Sequence, residues 1–302
     1  MPVDKKRDKL LRAGTNILFY LCMAVIGWLF LQVFFFASFK TPTGSMAPEL
    51  LPGDYVLVNK LIFGARLFNP LPALRLEQVD IYRAPGIRNI RRGDVVVFNA
   101  PYPHTQERME MHILKYFVKR CVGLPGDSLL IENGYYRVKG VDEPLGNVAE
   151  QGKRSVHPKD SLWWSFDEPV LNCFPDDSII SWNAENFGPL YIPRKGDTVL
   201  MNRDSYVLYK TLIEWETKGL LTFQDSTVYL NNRPTRAYTF RSDYYFMAGD
   251  NVNDSWDSRY WGLAPAEYIV GNVWLIWKSV DPYTGKERRE RWMKQVAPYR
   301  FK

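Results

Sequence analysis

The chain has 302 residues, of which 46% are hydrophobic and 15% aromatic, and its formal net charge is +6 at pH 7. This length allows a membrane segment together with one or two domains that have their own cores. Residues 1–14 and 283–302 carry charge excesses of +3 and +5, so the residues between them carry about −2. No basic face is left for nucleic acid, and we exclude nucleic acid as a partner.

A basic segment precedes the longest apolar run of the chain. Residues 17–39 contain no charged side chain, and Gln32 is their only strongly polar residue. The run is long enough to cross a bilayer and too long for the core of a cleaved signal peptide. We therefore predict a single-pass anchor over residues 15–39 in the cytoplasmic (inner) membrane. Because positive charges favour the inner side, residues 1–14 should be cytoplasmic and the rest of the chain should lie outside.

Directly after the anchor, the segment TPTGSMAPELLPGDYVLVNK (residues 41–60) sets Ser45 in a turn. Proline and glycine on both sides of Ser45 exclude a helix, and Gly53-Asp54 opens a strand. Ser45 follows the anchor by six residues, so it can lie no more than roughly 20 Å from the membrane surface. Such a turn exposes a serine as a nucleophile requires, although Ser/Gly/Pro clusters are also typical of ordinary linkers.

Gly-Asp turns recur beyond the anchor. The pattern G-D-x-V-x-x-N begins at Gly53, Gly93 and Gly196, and each time it leads into a short apolar run. Many short apolar runs between turns predict a mostly-β domain of barrel or folded-sheet type, with helix as a minor element. We expect residues 40–131 and 241–282 to form the β-domain. Residues 132–240 should form an inserted second lobe, and residues 283–302 a basic C-terminal tail. The tail could form a short amphipathic helix, and we expect its basic face to be solvated.

A serine nucleophile requires a base, and histidine is the first candidate. Ser45 does not lie in the G-x-S-x-G turn of the hydrolases, because Thr43 and Ala47 occupy the glycine positions. The three histidines lie in loop-like or polar surroundings: His104, His112 and His157. A Ser-His-Asp triad stays open because triads are assembled in space, but no local pattern supports one.

Lysine is the alternative base, provided that burial or a neighbouring positive charge keeps it neutral near pH 7. Lys119 fits this condition, because period-two alternation along its apolar strand places Phe117 and Cys121 on its own face. A Lys-Arg pair in a strand is also typical of an edge strand with snorkelling side chains. Lys60 and Lys115, at a strand end and a strand start, are weaker candidates.

The segment GDNVNDSWDSRYWG (residues 249–262) is the third constellation of polar side chains. A calcium loop does not fit, because Val252 occupies the third position counted from Asp250, where such a loop needs a ligand. We predict a hydrated turn network in which Asp257 and Arg259 form a paired brace. We predict neither a metal site nor a cofactor site.

Taken in order, four segments resemble the sequence boxes of the type I signal peptidases, membrane-anchored serine proteases that remove signal peptides from exported proteins. The four segments are residues 44–54, 92–98, 119–127 and 249–262. The resemblance covers residues 41–131 and 244–278, whereas the inserted lobe is similar only to the variable lobe of the family.

The resemblance implies that Ser45 is the nucleophile and that Lys119 is the general base, which takes the serine proton and later returns it to the leaving amine. It also implies an oxyanion hole formed by the Ser45 N–H and the Thr43 hydroxyl, where many relatives have serine. Ser255 would orient the lysine. The supporting residues would be Met46, Ser255, Asp257 and Arg259. Val252 departs from the arginine that is frequent in the family.

The implied activity is an endopeptidase that cuts preproteins after small residues at positions −1 and −3, without a cofactor. Its partners would be preprotein signal peptides and the lipid bilayer, and the sequence leaves the oligomeric state open. Two alternatives stay open: a specialised Ser-Lys processing protease and a non-catalytic membrane-anchored binding protein. An assay with authentic preproteins would separate the first, and the presence of both Ser45 and Lys119 argues against the second.

Overall fold

The computed structural model describes residues 3–75, 77, 79–102, 108–153 and 172–296 of the chain. Within them, the helices are α1 (Val3–Phe34), α2 (Pro70–Leu74), α3 (Val148–Gln151), α4 (Arg203–Thr217) and α5 (Ser258–Trp261). The strands are β1 (Phe36–Lys40), β2 (Asp54–Asn59), β3 (Arg66–Leu67), β4 (Tyr82–Arg83), β5 (Val95–Ala100), β6 (His112–Gly123), β7 (Ser128–Glu132), β8 (Tyr135–Val138), β9 (Phe187–Tyr191), β10 (Thr198–Leu200), β11 (Leu221–Gln224), β12 (Thr227–Leu230), β13 (Arg233–Pro234), β14 (Ala237–Thr239), β15 (Tyr244–Ala248), β16 (Ala264–Pro265), β17 (Ile269–Ser279) and β18 (Lys294–Gln295).

Helix α1 has the length and composition of a membrane anchor. Its segment Arg7–Phe34 spans 28 residues with a hydropathy of 2.3, and none of its most apolar window is buried within the protein. The helix ends five residues before the predicted end of the anchor, because Phe36–Lys40 pairs with β2 as strand β1. The β-domain therefore begins almost directly where the anchor ends.

One large antiparallel sheet forms the β-domain. Its strands follow the order β1-β2-β17-β5-β6-β15-β16, and β18 pairs with β17. The mostly-β prediction is confirmed. Of its two variants the sheet is the folded type, because the end strands β1 and β16 are not paired with each other among the described residues.

The recurring Gly-Asp pairs share one local structure, which explains why the pattern repeats. The glycines adopt the left-handed region, with φ of 86° at Gly53, 85° at Gly93, 92° at Gly126 and 90° at Gly196. In each turn an aspartate oxygen accepts a hydrogen bond of 2.7 to 2.9 Å from the N–H three residues upstream: Leu51 to Asp54, Arg91 to Asp94, Leu124 to Asp127, and Arg194 to Asp197. The turn reverses the chain, and the next strand starts at or directly after the aspartate.

Strand β6 lies inside the sheet, between β5 and β15. The edge-strand interpretation of Lys119-Arg120 is therefore wrong for this chain. Both side chains are buried, with 3% and 0% of their surface exposed. Their burial follows from the two flanking strands, a long-range arrangement that a local pattern does not reveal.

Helix α4 is a long element that the sequence patterns did not predict. It runs for 15 residues, and Asn202 caps it by accepting a hydrogen bond from the Ser205 N–H at 2.9 Å while the Ser205 hydroxyl accepts one from the Asn202 N–H. The N-x-x-S spacing is a capping-box signal. The same Asn202 completes the third G-D-x-V-x-x-N pattern, which predicts a strand up to this residue.

The C-terminal tail differs from the short amphipathic helix that the sequence suggested. Its described residues, 283–296, contain one 3₁₀ turn, Arg289–Arg291, followed by strand β18. Its basic side chains are not all solvated, because Arg291 forms an ion pair of 2.6 Å with the buried Asp54.

Cys121 and Cys173, whose pairing the sequence left open, are both free thiols.

Candidate active site

Ser45 and Lys119 meet in the interior of the β-domain. The Lys119 Nζ lies 2.7 Å from the Ser45 Oγ and donates a hydrogen bond to it. The two residues are 74 positions apart in sequence, and only 5% and 3% of their surfaces are exposed. Removal of the lysine proton would leave the amine nitrogen in position to accept the serine proton.

The surroundings of Lys119 favour its neutral form. The pKa of Lys119 is lowered to about 8: burial lowers it most and the nearby Arg259 adds to this effect, while the carboxylates of Asp257, Asp254 and Asp250 oppose them. Burial is the largest of these effects because an ammonium group loses its hydration inside the protein. The lysine is therefore a usable base in mildly alkaline solution.

Ser45 lies in a compact loop, residues 41–54, which we call the serine loop. Its base is closed by two backbone hydrogen bonds, from the Thr41 N–H to Asp54 O and from the Gly53 N–H to Thr41 O, both of 2.8 Å. Met46, predicted as a supporting residue, is 1% exposed and packs in the apolar cluster that contains Val56. These contacts restrict the backbone that carries Ser45.

The expected oxyanion donors are the backbone N–H of Ser45 and the hydroxyl of Thr43. Within the described part of the chain, neither the Ser45 N–H nor the Thr43 hydroxyl has a hydrogen-bond partner. Thr43 is half-buried. Both groups can thus donate to a developing oxyanion, and their role in catalysis stays a prediction.

Asp257 and Arg259 form the ion pair that the sequence suggested. The Arg259 Nε and Nη2 donate to the two carboxylate oxygens of Asp257 at 2.8 and 2.9 Å, and both side chains are almost fully buried. Burial tends to raise the pKa of Asp257, but Arg259, together with Lys119 and the Gly249 N–H, holds this pKa below its usual value. Asp257 also accepts from the Gly249 N–H at 3.0 Å, so the pair supports the turn next to Ser45.

Ser255 lies beside the serine loop, but within the described part of the chain its hydroxyl forms no hydrogen bond with Lys119. Its Oγ is buried and has no hydrogen-bond partner among the described residues. A Cβ built on Gly249 would clash with this Oγ and would lie 2.5 Å from Ser45 O. Ser255, Gly249 and Ser45 are therefore close neighbours, and the orienting role of Ser255 stays a prediction.

Three residues that were not predicted from the sequence as site residues, Asn251, Arg120 and Asp250, connect the elements of the site. The Asn251 N–H donates to Ser45 O at 3.1 Å, and its side-chain Nδ2 donates to Gly44 O at 3.2 Å. Arg120 forms a buried two-point ion pair with Asp250, with both N–O distances 2.6 Å. Strand β6, which carries Lys119, is thereby tied to the turn that holds Ser45. The adjacent Lys-Arg and Asp-Asn pairs in the sequence were the available signal.

The other candidate bases lie elsewhere. The Lys60 Nζ donates to Gln32 O at 2.7 Å, at the C-terminal end of α1, and Lys115 is exposed. His112 lies at the start of β6, and its Nδ1 accepts from the Leu114 N–H at 3.3 Å. The remaining histidines, His104 and His157, lie outside the described residues.

The chain is similar to known proteins over most of its length. A sequence profile described as "Signal peptidase, peptidase S26" matches residues 12–278. Signal peptidase I of Buchnera aphidicola subsp. Acyrthosiphon pisum is 25% identical over 280 residues, which cover 91% of this chain and 80% of that relative. Signal peptidase I of Pseudomonas aeruginosa is 27% identical over 263 residues, covering 83% and 68%, and that of Helicobacter pylori (strain ATCC 700392 / 26695) is 23% identical over 262 residues, covering 83% and 78%. The chain therefore belongs to the peptidase S26 family, the type I signal peptidases, and is a serine endopeptidase.

Proposed function

We propose that this enzyme removes signal peptides from exported preproteins by acyl-enzyme catalysis with Ser45 as nucleophile and Lys119 as general base. The observation that carries the proposal is the buried 2.7 Å contact between Lys119 Nζ and Ser45 Oγ. The neutral amine takes the hydroxyl proton as Ser45 Oγ attacks the scissile carbonyl. The ammonium then returns the proton to the leaving amine, and the acyl-enzyme is hydrolysed by water that the same lysine activates.

The N–H of Ser45 and the hydroxyl of Thr43 would bind the oxyanion of the tetrahedral intermediate. Their lack of other partners among the described residues supports this assignment. Asp257 and Arg259 would keep the turn beside Ser45 in place. No step of this scheme requires a cofactor.

Cleavage would follow small residues at positions −1 and −3, as in the A-x-A-like sites of signal peptides. Residues 1–14 would lie in the cytoplasm and the β-domain on the far side of the membrane, because the positive charges cluster before α1. The β-domain starts within two residues of the end of α1. Ser45 could thus meet a signal peptide that emerges from the same bilayer.

The test is cleavage of a preprotein with an A-x-A site by the full chain in detergent, with the product identified by its new N-terminus. Wild type should cleave after the site, and Ser45→Ala and Lys119→Ala should lose at least about 10⁴-fold in rate while remaining folded. Lys115→Ala, which changes an exposed lysine of β6, is the matched control and should retain full activity. Activity retained in Lys119→Ala would contradict the dyad. A folded wild type that cleaves no preprotein would favour a specialised processing protease.

A further inference from the structure

The described part of the C-terminal tail, residues 283–296, returns along the serine loop after β17. Val280 and Glu287 form an isolated antiparallel bridge, and β18 then pairs with β17. Val296 is 8% exposed and belongs to the same apolar cluster as Met46 and Leu50 of the serine loop. The tail therefore packs against the segment that carries the nucleophile.

Asp54, at the end of the serine loop, is the main polar contact of the tail. Its side chain is completely buried. It accepts hydrogen bonds from Arg291 Nη2 at 2.6 Å, Arg291 Nε at 3.1 Å, Ser279 Oγ at 2.6 Å and the Leu51 N–H at 2.8 Å. A buried carboxylate with so many charge-assisted partners has one strongly preferred geometry.

Arg291 and a second arginine of the tail, Arg288, also donate hydrogen bonds to the backbone of the serine loop. Arg291 Nη2 donates to Glu49 O at 2.8 Å, and Arg288 Nη2 donates to Pro52 O. Arg288 Nε is held in turn by Ser279 Oγ at 3.0 Å. The serine loop is thus fixed at Glu49–Asp54 by the tail, in addition to the contacts that Asn251 makes at Gly44 and Ser45.

We propose that the tail is a positioning element for catalysis, in which Arg291 and Arg288 hold the serine loop so that Ser45 Oγ stays within proton-transfer distance of Lys119. This inference rests on the proposed function of the dyad. Proton transfer requires the two heavy atoms to lie about 2.6–3.2 Å apart. A displacement of about 1 Å can cost on the order of 10²-fold in rate. Loss of the tail contacts should therefore reduce the chemical step more than substrate binding.

The test compares Arg291→Gln with Arg289→Gln in the full chain in detergent. Arg289 is the matched control, because its side chain is 81% exposed and its contacts, an ion pair with Glu287 and a position over the Trp292 ring, lie within the tail itself. Arg291→Gln should lower kcat by at least about tenfold and leave KM within about twofold. Arg291→Lys keeps the charge but not the forked geometry, so its kcat should lie between those of Arg291→Gln and wild type. Arg289→Gln should match wild type in both constants.

Two measurements separate positioning from simple loss of folding. The folded fraction of each variant is followed by near-ultraviolet circular dichroism at the assay temperature, and a fall in kcat that only matches the fall in folded protein would overturn the proposal. An unchanged kcat in Arg291→Gln would overturn it as well. Amide hydrogen exchange of the serine loop provides a test that needs no substrate. Exchange should be faster in Arg291→Gln than in Arg289→Gln, and equal exchange would refute the tail's role even if the proposed function failed.

Discussion

At the residue scale, the proposed mechanism makes the reaction depend on the protonation of Lys119. Its pKa of about 8 means that an increasing fraction is neutral as the pH rises through this value. Because only the neutral amine can accept the serine proton, kcat/KM should rise with pH, with an acid limb near 8, and level off above it. Cleavage of one preprotein between pH 6 and 10 measures this limb. A limb near pH 6.5 would instead indicate a histidine base.

Asp254 provides a variant that should move this limb in a known direction. Its Oδ1 is buried without a partner among the described residues, and its charge favours the ammonium form of Lys119. Asp254→Asn keeps the shape and removes the charge, so the acid limb should shift to lower pH. Glu185→Gln, which removes an exposed carboxylate, is the control and should leave the limb in place. An unshifted limb in Asp254→Asn would show that this carboxylate does not influence the lysine.

At the element scale, the turn after β15 must approach the serine loop closely. A side chain at Gly249 would clash with Ser255 Oγ and would lie 2.5 Å from Ser45 O. Gly249→Ala should therefore displace the serine loop, lower cleavage by about 10²-fold and destabilise the protein by about 1–3 kcal/mol. Cleavage rates and denaturant midpoints measure the two effects.

Gly44→Ala is the structural comparison for this prediction. A Cβ at Gly44 would meet only Asp254 Oδ2, at 3.6 Å, which is an ordinary van der Waals contact. This variant should unfold at the same denaturant concentration as wild type. Equal midpoints for Gly249→Ala and wild type would contradict the close approach of the two segments.

Secondary structure around the site was only partly predictable. The Gly-Asp turns and the strands that follow them depend on local backbone geometry, and all of them are present. Helix α4 is not predicted from the sequence pattern, because its N-cap residue, Asn202, also ends a pattern that is typical of a strand. The position of β6 inside the sheet could not be predicted from the sequence, because strand order depends on contacts between segments that are distant in sequence.

At the scale of the whole molecule, the buried lysine has a cost in stability. Lys119 has a pKa of about 8 in the folded protein and 10.5 as the ordinary value. Below pH 8 it is charged in both states, and folding then includes the cost of burying an ammonium group. Between pH 8 and 10.5 the folded state releases its proton first, so the free energy of unfolding should rise with pH.

Lys119→Met removes this cost at every pH. It should be more stable than wild type at pH 7, and its advantage should shrink by about 2 to 3 kcal/mol by pH 10. Denaturant unfolding of both proteins in detergent at pH 7, 8.5 and 10 measures the difference. Because wild type and variant share all other titrating groups, their difference isolates Lys119. An advantage that is constant with pH would contradict the lowered pKa.

The sequence by itself determined the anchor, the mostly-β class, the Gly-Asp turns and the family, because these depend on hydropathy over a short window, on local backbone geometry and on ordered motifs. It also indicated Ser45 and Lys119 as candidates. Only the tertiary structure decided that they meet at 2.7 Å, that β6 is an interior strand, that Arg120 pairs with Asp250, and that the basic tail binds Asp54. These facts depend on which distant segments pack together in one core. Packing sets the position of the Lys119 side chain, and burial sets its pKa. No short window of the sequence contains that information.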